Sequence, residues 1–163
     1  MIYTLLMVAI LLLLPLVVGL FIPRERTYAH AYNFASPLEK VFAAVTDVEG
    51  QPAWRTDVKA IDILETTPNL KWREVLHKGP AITFQERRKL ENRLFEIEIV
   101  ESAFGGRWVG TFEPLSGGGT RVTFTETSII ANPFLRTVSI LVIDLNKTIS
   151  EYTSNLRKHL GES

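Results

Sequence analysis

The chain of 163 residues contains no cysteine, which excludes disulfides, thiolate nucleophiles and cysteine-ligated zinc together. This says little about compartment, because a chain without thiols is compatible with any redox environment. An excess of one charge is also missing. Lys and Arg number 18, as do Asp and Glu, so no broad basic field exists to gather phosphates, and nucleic acid is not expected as a partner. The three histidines, His30, His77 and His159, are scattered, and no His-Glu-x-x-His helix, phosphate-binding glycine loop or dinucleotide fingerprint occurs. Gly117, Gly118 and Gly119 fall between two expected strands, where a hairpin accounts for them. Ser36 lacks the Gly-x-Ser-x-Gly setting of a nucleophile elbow. No metal, cofactor or catalytic residue is expected from these patterns.

What the chain does have is a long uncharged run. Residues 2–22, IYTLLMVAILLLLPLVVGLFI, carry no charge, and about 20 apolar residues suffice to cross a hydrocarbon core as a helix. Pro15 and Gly19 are tolerated in such helices. A cleaved signal peptide is the competing interpretation, with Ala29-His30-Ala31 as a small-x-small site. Against it, no Lys or Arg precedes the run, the run exceeds a signal core, and cleavage there cuts into the first expected strand. The run therefore predicts a retained transmembrane anchor over residues 1–23, followed by a neck over 24–27 and one domain over 28–163. Arg24 and Arg26 directly follow the run, so the positive-inside rule predicts a single-pass protein of the cell membrane with its C-terminal domain in the cytoplasm.

Within the domain, residues 27–35 alternate as a first strand. Ser36, Pro37 and Glu39 match an N-cap, a first-turn proline and a capping box, opening a short amphipathic helix through Leu38, Val41, Phe42 and Val45. Asp47 is expected to cap a second short helix that Gly50 and Pro52 stop. The period then changes to 2, predicting strands near 58–64, 71–77, 81–90, 93–100, 107–113 and 120–130, with turn residues between them. Short connections imply antiparallel pairing. Asn132 and Pro133 open a final amphipathic helix whose apolar positions run from Phe134 to Leu160, ended by Gly161. Arg136, Asp144 and Lys147 interrupt it too often for a second membrane span.

The expected class is α+β: a curved antiparallel sheet of about seven strands wrapped around a long C-terminal helix, plus one N-terminal transmembrane helix. A sheet curled around a helix leaves a cavity wherever side chains do not meet. The stretches ASPLEKVFAAVTDVEGQPAW, VKAIDIL, AFGGRWVGTFEPLSGGGTRVTFTE and ANPFLR, in this order, resemble the START-like or SRPBCC superfamily, and within it the polyketide cyclase/dehydrase-like group. The resemblance implies a helix-grip fold over nearly all of residues 28–161. For function it implies only a range, from lipid carriers and hormone receptors to aromatase/cyclases, because a shared fold does not transfer an activity.

Strand parity nominates cavity residues. Glu126 shares a face with Val122 and Phe124, Glu86 and Arg88 with Ile82 and Phe84, and Glu74 with Trp72 and Leu76. Carboxylates in an apolar cavity are either paired internally, as Arg88 with Glu126, or meet a polar ligand group. The expected ligand-binding set is Glu74, Glu86, Arg88 and Glu126 among Trp72, Phe84, Phe95, Phe112 and Phe124, with Trp54 and Trp108 near the mouths or as core plugs. The expectation is thus a membrane-anchored binding or carrier protein for a hydrophobic or amphipathic small molecule, lipid or isoprenoid-like, held in the cavity. Two alternatives stand beside it. One is a cyclase or dehydratase using Glu86, Glu126 or a nearby Arg or His for proton transfer; the other is an interaction module of a membrane complex.

Overall fold

A computed structural model describes residues 2–102, 104–142 and 145–162. In chain order these form α1 (Ile2–Phe21), β1 (Glu25–Phe34), α2 (Leu38–Thr46), a single 3-10 turn (Gln51–Ala53), β2 (Val58–Glu65), β3 (Lys71–Leu76), β4 (Ile82–Leu90), β5 (Leu94–Val100), β6 (Gly105–Pro114), β7 (Thr120–Ile129), α3 (Pro133–Val142) and α4 (Leu145–Leu160). The strands make one antiparallel sheet in the order β1-β7-β6-β5-β4-β3-β2. Consecutive strands from β2 to β7 are hairpin neighbours, as short connections require. β1 closes the far edge against β7, from Glu25 opposite Ile129 to Phe34 opposite Thr120. The seven-stranded α+β architecture expected from the alternation is the one found.

Two local expectations are corrected. Ser36 does not cap α2: Pro37 occupies the N-cap position and no side-chain cap bond forms. The Ser36 N–H instead donates to the Glu162 carboxylate and its carbonyl accepts from the Thr120 hydroxyl, so its backbone is tied to the chain end and β7. Asp47 opens no helix but ends α2, and its carboxylate accepts the Gly50 N–H. Asn132 caps as expected, accepting the Phe134 and Leu135 N–H groups. The single C-terminal helix is described as α3 and α4, with Ile143 and Asp144 outside the described residues.

The core gathers at one end of the sheet. Val41, Phe42 and Val45 of α2 and Leu156 and Leu160 of α4 meet Phe34, Phe112, Val122 and Phe124, with Phe42 edge-on to Phe112 at 5.1 Å. Each such fully buried side chain contributes about 1.5–3 kcal/mol. At the other end α3 packs on α1. There the backbones come so close that a Cβ on Gly19 would run into the Pro133 carbonyl. Thr137 donates to the Pro15 carbonyl at 2.6 Å, so the two helices run antiparallel. Arg136 donates to the Gly19 and Ile22 carbonyls at the end of α1 and to those of Ile130 and Ala131. A guanidinium at that position satisfies orphan carbonyls and complements the helix dipole.

Among the described residues no helix is long and apolar enough to cross a membrane, so the span expected over residues 2–22 is not shown. The side chains of residues 2, 4–6 and 8–12 lie outside the described set. Among the α1 side chains that are described, Tyr3, Met7, Leu13, Leu20 and Phe21 are more than half exposed.

Candidate functional site

Because α4 and α2 cover one end of the concave face and α3 leans on α1, space remains between the sheet and the helices. The cavity has a volume of about 520 Å³, within the range that encloses a small ligand. Its walls are mostly apolar: Phe84, Phe95, Ile97, Ile99 and Trp108 from the sheet, Leu135 and Val138 from α3, Ile149 and Tyr152 from α4. Gly106 belongs to the wall too, and a Cβ there would approach Ile99 to 3.0 Å, so its missing side chain keeps that part of the cavity open.

One end is closed by an ion pair. Arg55, just after the 3-10 turn, donates to one Glu74 oxygen at 3.1 Å, is ion-paired with the other at 3.1 Å, and donates to the Gln51 side-chain oxygen at 2.7 Å. It also holds Asp57 at 2.6 Å. The Trp72 indole N–H donates to Glu74 at 3.3 Å, and Gln51 is anchored in turn by donating to the Val45 carbonyl. Burial pushes the Arg55 pKa down, but the Glu74 charge, then the Asp57 hydrogen bond and charge, outweigh it and raise the value. Burial likewise pushes the Asp57 carboxyl up, and the Arg55 hydrogen bond and charge overcome this to lower it. Arg55 also lies over the Tyr152 ring, 5.7 Å from its centroid. Burial raises the Tyr152 pKa, with Arg55 pulling the other way, so the phenol stays protonated.

Glu126 is in the opposite situation. It stands on β7 directly across from Trp108, lines the cavity, and has no ion-pair or hydrogen-bond partner among the described residues. Burial alone raises its pKa. A desolvated carboxyl without a partner either takes up a proton or meets a complementary group brought by a ligand. Arg26, at the start of β1, also reaches the wall, and donates to the Ser139 hydroxyl of α3 at 2.9 Å.

Of the residues nominated by parity, Trp72, Glu74, Phe84, Phe95, Trp108 and Glu126 lie on the cavity wall. The other five do not. Glu86 keeps its parity, opposite Ile97, but is not part of the wall; the bulge that follows it shifts the pairing so that Arg88 stands opposite Glu96, and Arg88 is exposed and faces Glu96 at 3.8 Å, not Glu126. Phe112 and Phe124 have the right parity but sit too far along the sheet, within the core. Trp54 is stacked on His159 at 5.5 Å and edge-on to Tyr152 at 5.4 Å, a packing role behind the cavity. Arg55, Gln51, Tyr152 and Arg26 were not signalled. Arg55 and Gln51 fall in an aperiodic connection, Tyr152 reads as one apolar position of a helix, and Arg26 as part of a neck.

A family model described as polyketide cyclase / dehydrase and lipid transport matches residues 30–161. The chain belongs to this family. Solved structures share the fold of this chain. The Zhui aromatase/cyclase from Streptomyces sp. R1128 superposes with a TM-score of 0.67 at 16% identity, covering 82% of this chain and 93% of that one. A START superfamily protein from Mycobacterium smegmatis gives 0.65 at 14%, covering 82% and 95%. Norcoclaurine synthase from Thalictrum flavum, in complex with dopamine and hydroxybenzaldehyde, gives 0.68 at 8%, covering 88% and 90%. At such identities the likeness is one of fold. No curated protein matches. The polyketide cyclase/dehydrase-like reading of the motifs agrees with the family model, and the helix-grip fold expected from them agrees with the solved structures.

Proposed function

We propose that this family member binds and carries an apolar or amphipathic small molecule, lipid or isoprenoid-like, while α1 tethers it to a membrane. The observation that carries the reading is the cavity, about 520 Å³ and mostly apolar, with its strongest charges already paired at one end. An apolar cavity with few convergent polar groups suits such a ligand. The family description includes lipid transport, which agrees. Tethering gives a membrane-partitioned ligand a high effective concentration at the cavity. Arg24 and Arg26 after the uncharged run put the domain on the cytoplasmic side of the cell membrane in this proposal.

Extraction of the full-length protein in mild detergent followed by mass spectrometry tests it: a defined apolar compound is expected at about one per chain or less, and its consistent absence from folded protein counts against carriage. A second reading, a cyclase-type enzyme, is favoured by the unpartnered Glu126, since a carboxyl with a raised pKa suits proton transfer. Two of the fold relatives are named as aromatase/cyclases. Under that reading Glu126→Gln abolishes turnover yet still retains the bound compound.

A further inference from the structure

α3 is both a wall of the cavity and the partner of α1, and most of its polar hydrogens are taken up within the protein. Arg136 gives its donors to the four backbone carbonyls of Gly19, Ile22, Ile130 and Ala131. Thr137 donates to Pro15, and Ser139 donates to the Arg136 carbonyl while accepting from Arg26. Internal satisfaction of this kind is the condition for placing a segment in hydrocarbon. What α3 leaves exposed is apolar: Phe134, Leu135 and Ile140. This surface is continuous with α1, because Gly19 meets Pro133 and Pro15 meets Thr137.

We propose that α3 enters the lipid together with α1, so that the cavity opens sideways into the bilayer through its α3 wall. The inference rests on the tether reading and adds a second, lipid-facing helix to it. Bilayer lipid is the occupant this surface favours. The 20 residues of α1 carry no charge, and Arg24 and Arg26 follow at its end, where basic side chains suit the headgroup level. Leu135 is exposed and also lines the cavity, so the mouth reaches the outer face of α3. Ser139, on the same wall, is bonded to Arg26, which ties the cavity mouth to the start of β1. A ligand thus leaves and enters without crossing water.

The absence of cysteine makes the test direct. Single substitutions at exposed positions of the full-length protein, Phe134→Cys and Ile140→Cys on α3, Leu13→Cys and Val17→Cys on α1, and Glu91→Cys in the β4–β5 turn, are labelled with a nitroxide. The protein is then placed in vesicles of phosphatidylcholine with phosphatidylglycerol. Relaxation by oxygen, which concentrates in lipid, is compared with relaxation by a water-soluble nickel chelate. The α3 labels are expected to respond like the α1 labels, oxygen dominating, and the Glu91→Cys label to respond to nickel. If the α1 labels are lipid-exposed and both α3 labels respond to nickel, the α3 proposal is overturned while the tether stands. If the α1 labels also respond to nickel, both fall.

Discussion

Arg55 and Glu126 bring charge to the same cavity under opposite conditions. Arg55 is held by two carboxylates, and removing it leaves Glu74 buried with, among the described residues, only the Trp72 N–H as a side-chain donor. Breaking a buried pair from one side costs about 3–5 kcal/mol, whereas removing both charges costs much less. Arg55→Leu is therefore expected to lower the urea midpoint sharply, and Arg55→Leu with Glu74→Gln to recover part of the loss. Glu126 acts through protonation instead. Its native pKa lies above its unfolded value because of burial, so the native state binds more protons in that window. Its contribution is fully present in acid below the unfolded pKa and is lost as pH rises through the native pKa. Glu126→Gln stays neutral and is expected to gain stability relative to the parent as pH rises above the ordinary carboxylate range, with no gain at the acid end. Equal pH slopes for the two proteins contradict the burial of this carboxyl.

The contact between α1 and α3 depends on one missing side chain. Gly19→Leu puts a branched group against the Pro133 backbone, and overpacking of this kind costs about 1–3 kcal/mol. Amide exchange in α3 is expected to quicken while exchange in the β6–β7 ladder stays slow. Period 2 located each strand to within about two residues, and Asn132 was legible as a cap because its bonds are local, to the Phe134 and Leu135 N–H groups. Ser36 was not, since its backbone is claimed by Glu162 and Thr120, more than 80 residues away. Parity placed Glu74 and Glu126 on the cavity side, but it failed at Arg88, past a bulge that belongs to two strands and leaves no mark in either alone. Parity also has no depth, so it could not separate Phe124 in the core from Glu126 two residues further along the same face.

Considered whole, the domain invests its large side chains at one end and leaves the other unfilled. Ile99 faces the unfilled part beside Gly106. Ile99→Trp is expected to block it, abolishing recovery of the co-purifying compound while circular dichroism and the unfolding midpoint stay close to those of the parent. Undiminished recovery places that compound elsewhere.

The strand order carries one more consequence, for the time course of synthesis. β1 and β2 lie on opposite edges of the sheet, and β1 pairs only with β7, Glu25 with Ile129. The strand emerging first from the ribosome therefore has no partner in the sheet until nearly the whole domain has been translated. Such distant pairing slows closure, and α1 reaches α3 later still. A nascent chain must therefore wait, with β1 unpaired, for its final third to arrive.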